Sequence, residues 1–294
     1  MKSPTPESLR KLRERAAKQL LASLRDGKQS DAIKELLTNS FMRLPQPLQN
    51  VISNGGSNKD LKEVTHALRS NAPLLRFRQM TEWNKEKNFS PETIFEKSLA
   101  EQVSAQTDKA QWANQIPIWS GICGSNDRKT SLDIGYRPSA GVFHLYELKI
   151  GSDYPLYALL ELITYAQGYL IARKLAEATP NAAQNIKDEC GGLLNAKQVT
   201  FSVLAPADYY STRTANSTHY AKPSELEIAR MSVEVGLADA ARNFGFYDLK
   251  INVSLLQMEN CNMPKSFKGN WEARDQWLHR LGCISELVRQ ATPI

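Results

Sequence analysis

The chain has 294 residues, of which 41% are hydrophobic and 23% charged, and its formal net charge is +6. This length and composition allow a full buried core, while no apolar run approaches the roughly 18 residues that cross a bilayer and the N-terminus opens on a charged stretch. The four cysteines lie far apart without a C-x-x-C pair, so we expect a soluble cytoplasmic protein with neither a zinc cluster nor a disulfide framework.

The first 89 residues have the pattern of an all-helical region. Apolar residues recur at helical spacing over 6–28 and 31–43, Leu44-Pro45-Gln46-Pro47 stops the second helix, and a short helix follows a turn at 54–58. Residues 1–28 carry eight Lys and Arg against three Asp and Glu. We name as candidate phosphate contacts Arg10, Lys11, Arg13 and Lys18. A solvated helix face is the alternative interpretation.

Helices and strands alternate from Ser90 onward, which indicates a second domain over 90–294 with an α/β fold. In chain order the pattern predicts a helix at 91–107, strands at 116–123, 131–137 and 142–150, a helix at 155–178, a strand at 198–204, a helix at 224–244, a strand at 248–258 and a helix at 272–291. Pro138-Ser139-Ala140-Gly141 indicates a hairpin turn between the second and third strands.

That hairpin brings two carboxylates and a lysine together. Opposed residues of a regular antiparallel pair have numbers symmetric about the turn, and 133 and 147 are symmetric about position 140. Asp133 and Glu147 are therefore expected to face one another with Cβ atoms about 5 Å apart. Lys149 projects to the same face. Carboxylates hold hard divalent cations and an ammonium stabilises charge on a phosphate, so the three residues predict metal-dependent phosphodiester hydrolysis.

The surroundings of these charges argue for function, because Glu147 and Lys149 interrupt the largely apolar strand 142–150. Burying unpaired charges is costly. A structural Glu–Lys pair is the alternative. The tripeptide alone is weak evidence, since Asp-x-Lys also occurs four times; Asp248-Leu249-Lys250 opens a strand but has no acidic partner across a turn.

An Asp on the second strand and Glu-x-Lys on the third, within an α-β-β-β-α-β order over residues 90–205, resemble the PD-(D/E)XK nuclease superfamily, in its Mrr/RecB-like branch. The resemblance implies a restriction-endonuclease-like αβββαβ core with a central mixed sheet flanked by helices. It also implies Mg²⁺ (or Mn²⁺) held by Asp133 and Glu147, with Lys149 positioning the attacking water or stabilising the transition state. Leu132 stands where the superfamily name has Pro.

Two further residues are implied by the same resemblance. Ile94-Phe95-Glu96 is similar to the apolar-Phe-Glu pattern of the first helix, which makes Glu96 the first candidate to support the metal, ahead of Glu101 and Glu92. Tyr165-Ala166-Gln167-Gly168-Tyr169 is similar to the Gln/Tyr signature of the later helix, so Gln167 is expected to orient the lysine. A solvated helix charge and a buried structural Gln are the respective alternatives.

A metal-dependent nuclease with DNA as the favoured substrate, in a defence or repair system, is the first prediction. A catalytically inactive nuclease-fold module that binds nucleic acid or protein is the second, and an RNA processor with the same site is the third. A homodimer or partner proteins are compatible with each, and no membrane association is expected.

Overall fold

A computed structural model describes residues 18–20, 22–23, 33, 46–63, 90–104, 106–117, 131–150, 154–178, 192–211, 222–259 and 271–294. Of the predicted phosphate contacts, Lys18 is described and exposed, whereas Arg10, Lys11 and Arg13 lie outside the described residues. The predicted helices at 6–28 and 31–43 lie largely outside them as well.

The centre of the fold is a six-stranded mixed sheet whose strands follow one another in sequence order. The first three strands form an antiparallel meander, the next two run parallel to the third, and the last pairs antiparallel at the far edge. Their bounds are β1 Trp112–Pro117, β2 Ser131–Ser139, β3 Val142–Leu148, β4 Gln198–Pro206, β5 Lys250–Met258 and β6 Thr292–Pro293. The predicted α/β class with a mixed sheet flanked by helices is confirmed.

Helices cover both faces of this sheet. They are α1 Gln46–Asn54, α2 Pro91–Ser104, α3 Pro155–Ala178, α4 Ala207–Ser211, α5 Pro223–Asn243, α6 Trp271–Leu281 and α7 Ile284–Gln290. The crossover helices α3 and α5 share one buried cluster with Phe143 and Leu145 of β3. Helices α2, α6 and α7 share the other cluster with Tyr146 and Leu148. Successive β3 side chains therefore enter opposite layers, as strand geometry requires.

Part of the N-terminal region packs on the α3 layer. Leu20, Ile33, Val51 and Ile52 are buried in the same cluster as α3. Helix α1 was not predicted, because Pro45 and Pro47 were interpreted as a stop; Pro47 instead lies in the first turn, where its missing N–H costs nothing. Among the described residues, no helix is long and apolar enough to cross a membrane.

Two other predicted elements need correction, and one strand was not predicted. The first strand was predicted at 116–123, of which 118–123 lie outside the described residues, whereas β1 spans Trp112–Pro117. Its start was missed because the polar residues Asn114 and Gln115 interrupt the strand pattern. The predicted closing helix at 272–291 is divided into α6 and α7 at Gly282, whose φ of +65° suits a helix C-terminus. The short strand β6 was not predicted at all.

Candidate active site

The β2–β3 hairpin has the symmetry that the sequence predicts. Ile134 pairs with Tyr146 and Gly135 pairs with Leu145, and both pairs are symmetric about position 140. Extended one position beyond these pairs, the same symmetry sets Asp133 opposite Glu147. An irregularity between Tyr136 and Ser139 lies near the turn and leaves this end of the ladder unchanged.

Asp133 lies in the plane of the sheet rather than projecting from one face. Its Oδ2 accepts a hydrogen bond from the Leu148 main-chain N–H at 2.8 Å. The next N–H along β3, that of Lys149, points the other way and donates to Leu204 O of β4 at 3.0 Å. A carboxylate thus occupies a place between β2 and β3 that a regular ladder gives to a main-chain carbonyl.

Two residues after Leu148, a second carboxylate accepts a main-chain N–H. The Ile150 N–H donates to Glu92 Oε1 on α2 at 3.0 Å. The N–H groups of Leu148, the last residue of β3, and of Ile150, just beyond it, therefore donate to acidic side chains instead of to strand backbone. Glu92 has a structural bond here, Glu101 is exposed, and Glu96 is the acid of α2 that is buried beside the site.

β1 and β2 both depart from regular strand geometry beside the in-plane carboxylate of Asp133. Leu132 and Ile134 would share one face of a regular strand, yet they lie in different buried clusters. Across the ladder, Asn114 pairs with Ile134 and Ile116 pairs with Leu132, so Gln115 is opposite Asp133. Gln115 has a φ of +46°. A left-handed conformation costs a non-glycine residue about 1–2 kcal/mol.

Glu96 approaches the site from the α2 layer. Its Oε1 accepts a hydrogen bond from Asn114 Nδ2 at 2.8 Å, and its Oε2 accepts one from Gln115 Nε2 at 3.4 Å. Lys97 Nζ is 3.7 Å from Oε1. Burial raises the pKa of Glu96, while Lys97 and the two amides act to lower it.

Lys149 lies between two buried carboxylates in the α3 layer. Its Nζ is 2.9 Å from Glu147 Oε1 and 2.7 Å from Glu161 Oε2. All three residues are at most 8% exposed. The other oxygen of Glu147, Oε2, is fully buried, and Tyr165 of α3 also makes a hydrogen bond to this carboxyl.

The pKa values of these groups follow from burial and crowding of like charge. Burial, then the charge of Glu147, raises the pKa of Asp133 well above its ordinary value, although the Leu148 N–H acts against this. Burial raises the pKa of Glu147 to about 7, in spite of Lys149. Burial acts to lower the pKa of Lys149, but Glu147 and Glu161 raise it well above the usual range. Lys149 therefore stays cationic.

The sequence analysis named Gln167 on α3 but did not name Glu161. Gln167 is half-buried, about 120° around the helix from Glu161, and Glu161 is an acid of α3 that contacts Lys149. Tyr165 lies one turn after Glu161 and lowers the pKa of Glu147 through a hydrogen-bond contribution. A signal was present, because Glu161 is an acid within an apolar stretch of α3, the same anomaly that singled out Glu147.

The oxygen donors of Asp133, Glu147 and Glu96 are of the kind that Mg²⁺ and Mn²⁺ take. Mg²⁺ commonly binds through one or two carboxylates and completes its shell with waters and substrate phosphate. In the part of the chain that the structure describes, no group of three or more His, Cys, Asp or Glu could hold a metal ion. Asp133 and Glu147 would offer a cation two carboxylates, and its other ligands would come from water and substrate.

No family model, curated protein or solved structure matches this chain. The residues at this end of the hairpin combine the carboxylates of Asp133 and Glu147, a lysine held between two acids, and a main-chain N–H that donates to a carboxylate.

Proposed function

We propose that this protein is a divalent-metal-dependent nuclease, and that its site is the PD-(D/E)XK constellation of Asp133, Glu147 and Lys149. One observation carries the proposal: the hairpin register, extended one position, sets Asp133 opposite the buried Glu147, and Lys149 Nζ lies 2.9 Å from Glu147 Oε1. The charges of Asp133 and Glu147 repel each other, and a bound divalent cation would offset that repulsion.

Asp133 and Glu147 would hold the metal, and Glu96 would support it from the α2 layer. When bound, Mg²⁺ or Mn²⁺ would lower the pKa of its water and offset charge on the phosphate. Lys149 supplies a fixed positive charge for the transition state, because Glu147 and Glu161 keep it protonated. Glu161 would help to orient Lys149, and Gln167 remains the predicted orienting residue.

The restriction-endonuclease-like arrangement is part of the same proposal. A helix, an antiparallel three-stranded meander, a crossover helix and a parallel fourth strand occur in the implied αβββαβ order. DNA is the proposed substrate, and the proposed phosphate contacts are Arg10, Lys11, Arg13 and Lys18. Their positive charge would strengthen binding at low salt.

A second candidate is a nuclease-fold module that binds nucleic acid or protein without turnover. The observation that favours it is the ion triad, since Lys149 already contacts two carboxylates at 2.9 and 2.7 Å. In this interpretation the triad is structural, and the chain would not bind Mg²⁺ at Asp133 and Glu147.

The test uses the purified full-length chain on linear, circular and single-stranded DNA and on RNA, with and without Mg²⁺ or Mn²⁺. Calorimetry measures metal binding on the same samples. We expect metal-dependent cleavage that Asp133→Asn and Glu147→Gln abolish. The matched control is Asp239→Asn, an acid in an exposed pair with Arg242, which should keep full activity.

Each outcome decides between the candidates. Metal binding and cleavage that both disappear in Asp133→Asn support the nuclease. A folded wild-type protein that binds no divalent metal, or cleavage that survives Asp133→Asn, overturns it. Nucleic-acid binding without metal binding would support the second candidate.

A further inference from the structure

Gln115 is the one described non-glycine residue with a positive φ, at +46°. It lies directly opposite Asp133 in the β1–β2 ladder, between the pairs Asn114–Ile134 and Ile116–Leu132. Residues held in sparsely populated backbone regions persist only where the surroundings fix them, and they cluster at functional sites.

At Gln115, the side chains of β1 change the sheet face to which they point. Trp112 and Ile116 are four residues apart and would share a face of a regular strand. Trp112 instead lies in the α2-side cluster, and Ile116 lies in the α3-side cluster. In β2 the same change occurs between Ile134 and Leu132. Asp133 is the residue between them, and its carboxylate points along the sheet to the Leu148 N–H.

The Gln115 side chain has a separate contact with the site. Its Nε2 donates to Glu96 Oε2 at 3.4 Å, while Asn114 Nδ2 donates to Oε1 at 2.8 Å. Adjacent strand residues ordinarily point to opposite faces. Because of the left-handed backbone at Gln115, both amides reach the same carboxylate.

We propose that Gln115 is a positioning residue, whose left-handed conformation turns Asp133 into the plane of the sheet and whose amide helps to hold Glu96 beside it. Only the Mn²⁺-affinity test of this inference rests on the proposed function. The residue touches neither substrate nor metal in this account; it acts through Asp133 and Glu96.

Three substitutions separate the backbone effect from the amide effect. Gln115→Gly removes the amide but adopts positive φ freely, Gln115→Ala removes the amide and keeps the strain, and Gln115→Val opposes the left-handed conformation. Supporting residues of a metal site commonly change its affinity by about 10-fold to 100-fold. We expect Mn²⁺ affinity to fall about 10-fold or more in Gln115→Val, less in Gln115→Ala, and least in Gln115→Gly.

The matched control is Gln257→Val, at a regular pairing position of β5 opposite Thr292, which should leave Mn²⁺ affinity unchanged. If Gln115→Val does not fold, the order of Gln115→Gly and Gln115→Ala still tests the inference. Equal affinity in wild type and Gln115→Val, or weaker binding in Gln115→Gly than in Gln115→Ala, would overturn it.

A second readout does not depend on metal. The amide resonance of Leu148 should shift in Asp133→Asn, because the carboxylate that accepts its hydrogen bond is replaced. In a protein that already carries Gln115→Val, adding Asp133→Asn should not shift the Leu148 resonance, because Asp133 is then no longer turned toward the Leu148 N–H. A wild-type protein that binds no Mn²⁺ but shows this pattern would sink the proposed function and keep the positioning role. If Asp133→Asn shifts the Leu148 resonance as much in the Gln115→Val protein as in wild type, the positioning role is excluded and the proposed function is unaffected.

Discussion

The Asp133 carboxylate accepts the main-chain hydrogen bond of Leu148 at 2.8 Å, so an acidic side chain takes the place of a strand carbonyl at the end of the β2–β3 ladder. This arrangement keeps the carboxylate rigid and between the layers that supply Glu96 and Glu147. Rigid placement by main-chain bonds is what a preorganised site requires.

Asp133→Asn should stabilise the protein while removing its metal binding. Burial and Glu147 raise the pKa of Asp133, so its charge opposes folding, whereas the Asn side-chain oxygen can still accept the Leu148 bond. We expect the free energy of unfolding at pH 8 to rise by about 1 kcal/mol, a typical single-residue effect. Urea denaturation and calorimetry measure the two effects. A less stable Asp133→Asn protein would contradict the crowded-carboxylate account.

Lys149→Met should be strongly destabilising. It leaves Glu147 and Glu161 buried without their shared cation, and breaking a buried ion pair costs about 3–5 kcal/mol. Adding Glu161→Gln should recover part of the loss, because one buried charge is removed. Lys174→Met, which breaks the more exposed pair with Glu177, is the control and should change the free energy of unfolding by less than about 0.5 kcal/mol. Similar losses in the two single variants would rule out a buried triad.

The stability of the protein should fall as pH rises toward neutrality, through Glu147. Burial raises the pKa of this carboxyl from 4.5 to about 7, so between these values the folded state binds more protons than the unfolded state. The stabilisation is complete below about 4.5 and is lost as pH rises through about 7. Urea denaturation from pH 4 to 8 should show this slope in wild type and a reduced slope in Glu147→Gln. Identical slopes would exclude Glu147 as the titrating group.

Metal affinity should have the opposite pH dependence. Protons and metal compete for the same carboxylate, so Mg²⁺ or Mn²⁺ affinity should rise as pH passes about 7, the pKa of Glu147. Calorimetric titrations at matched ionic strength measure this. An affinity that stays constant from pH 6 to 8 would place the metal elsewhere or show that Glu147 is not a ligand.

Glu234→Ala should lower the stability of the protein by removing a bond to β5, on the side of the sheet away from the hairpin. Glu234 Oε2 accepts the Val253 N–H and Arg230 Nη1 donates to the Val253 carbonyl, both at 2.7 Å, so α5 satisfies the backbone of β5 beyond the short strand β6. Leaving a buried N–H unpaired costs about 1–3 kcal/mol, and an uncovered strand edge promotes association. Thermal denaturation with light scattering tests both. Glu227→Ala, which also loses a bond to Arg230 but touches no strand, should have a smaller effect on both.

The elements that strong local signals define were predictable from the sequence. The helix at 155–178 matches α3 in its bounds, because Pro155 begins it and a long apolar run sustains it. The hairpin symmetry about position 140 also followed from the sequence, since the turn fixes which residues are opposed. From that symmetry alone, Asp133 could be set opposite Glu147.

Contacts between distant segments were decided only by the tertiary structure. The position of β1 depends on Asn114 and Gln115, whose polar side chains contradict a strand pattern but contact Glu96 on α2. Lys149 contacts Glu161, which was not predicted, because the packing angle of α3 on the sheet selects which helix face meets β3. Local periodicity specifies that a face is buried, whereas the residue it meets is set by how whole layers pack.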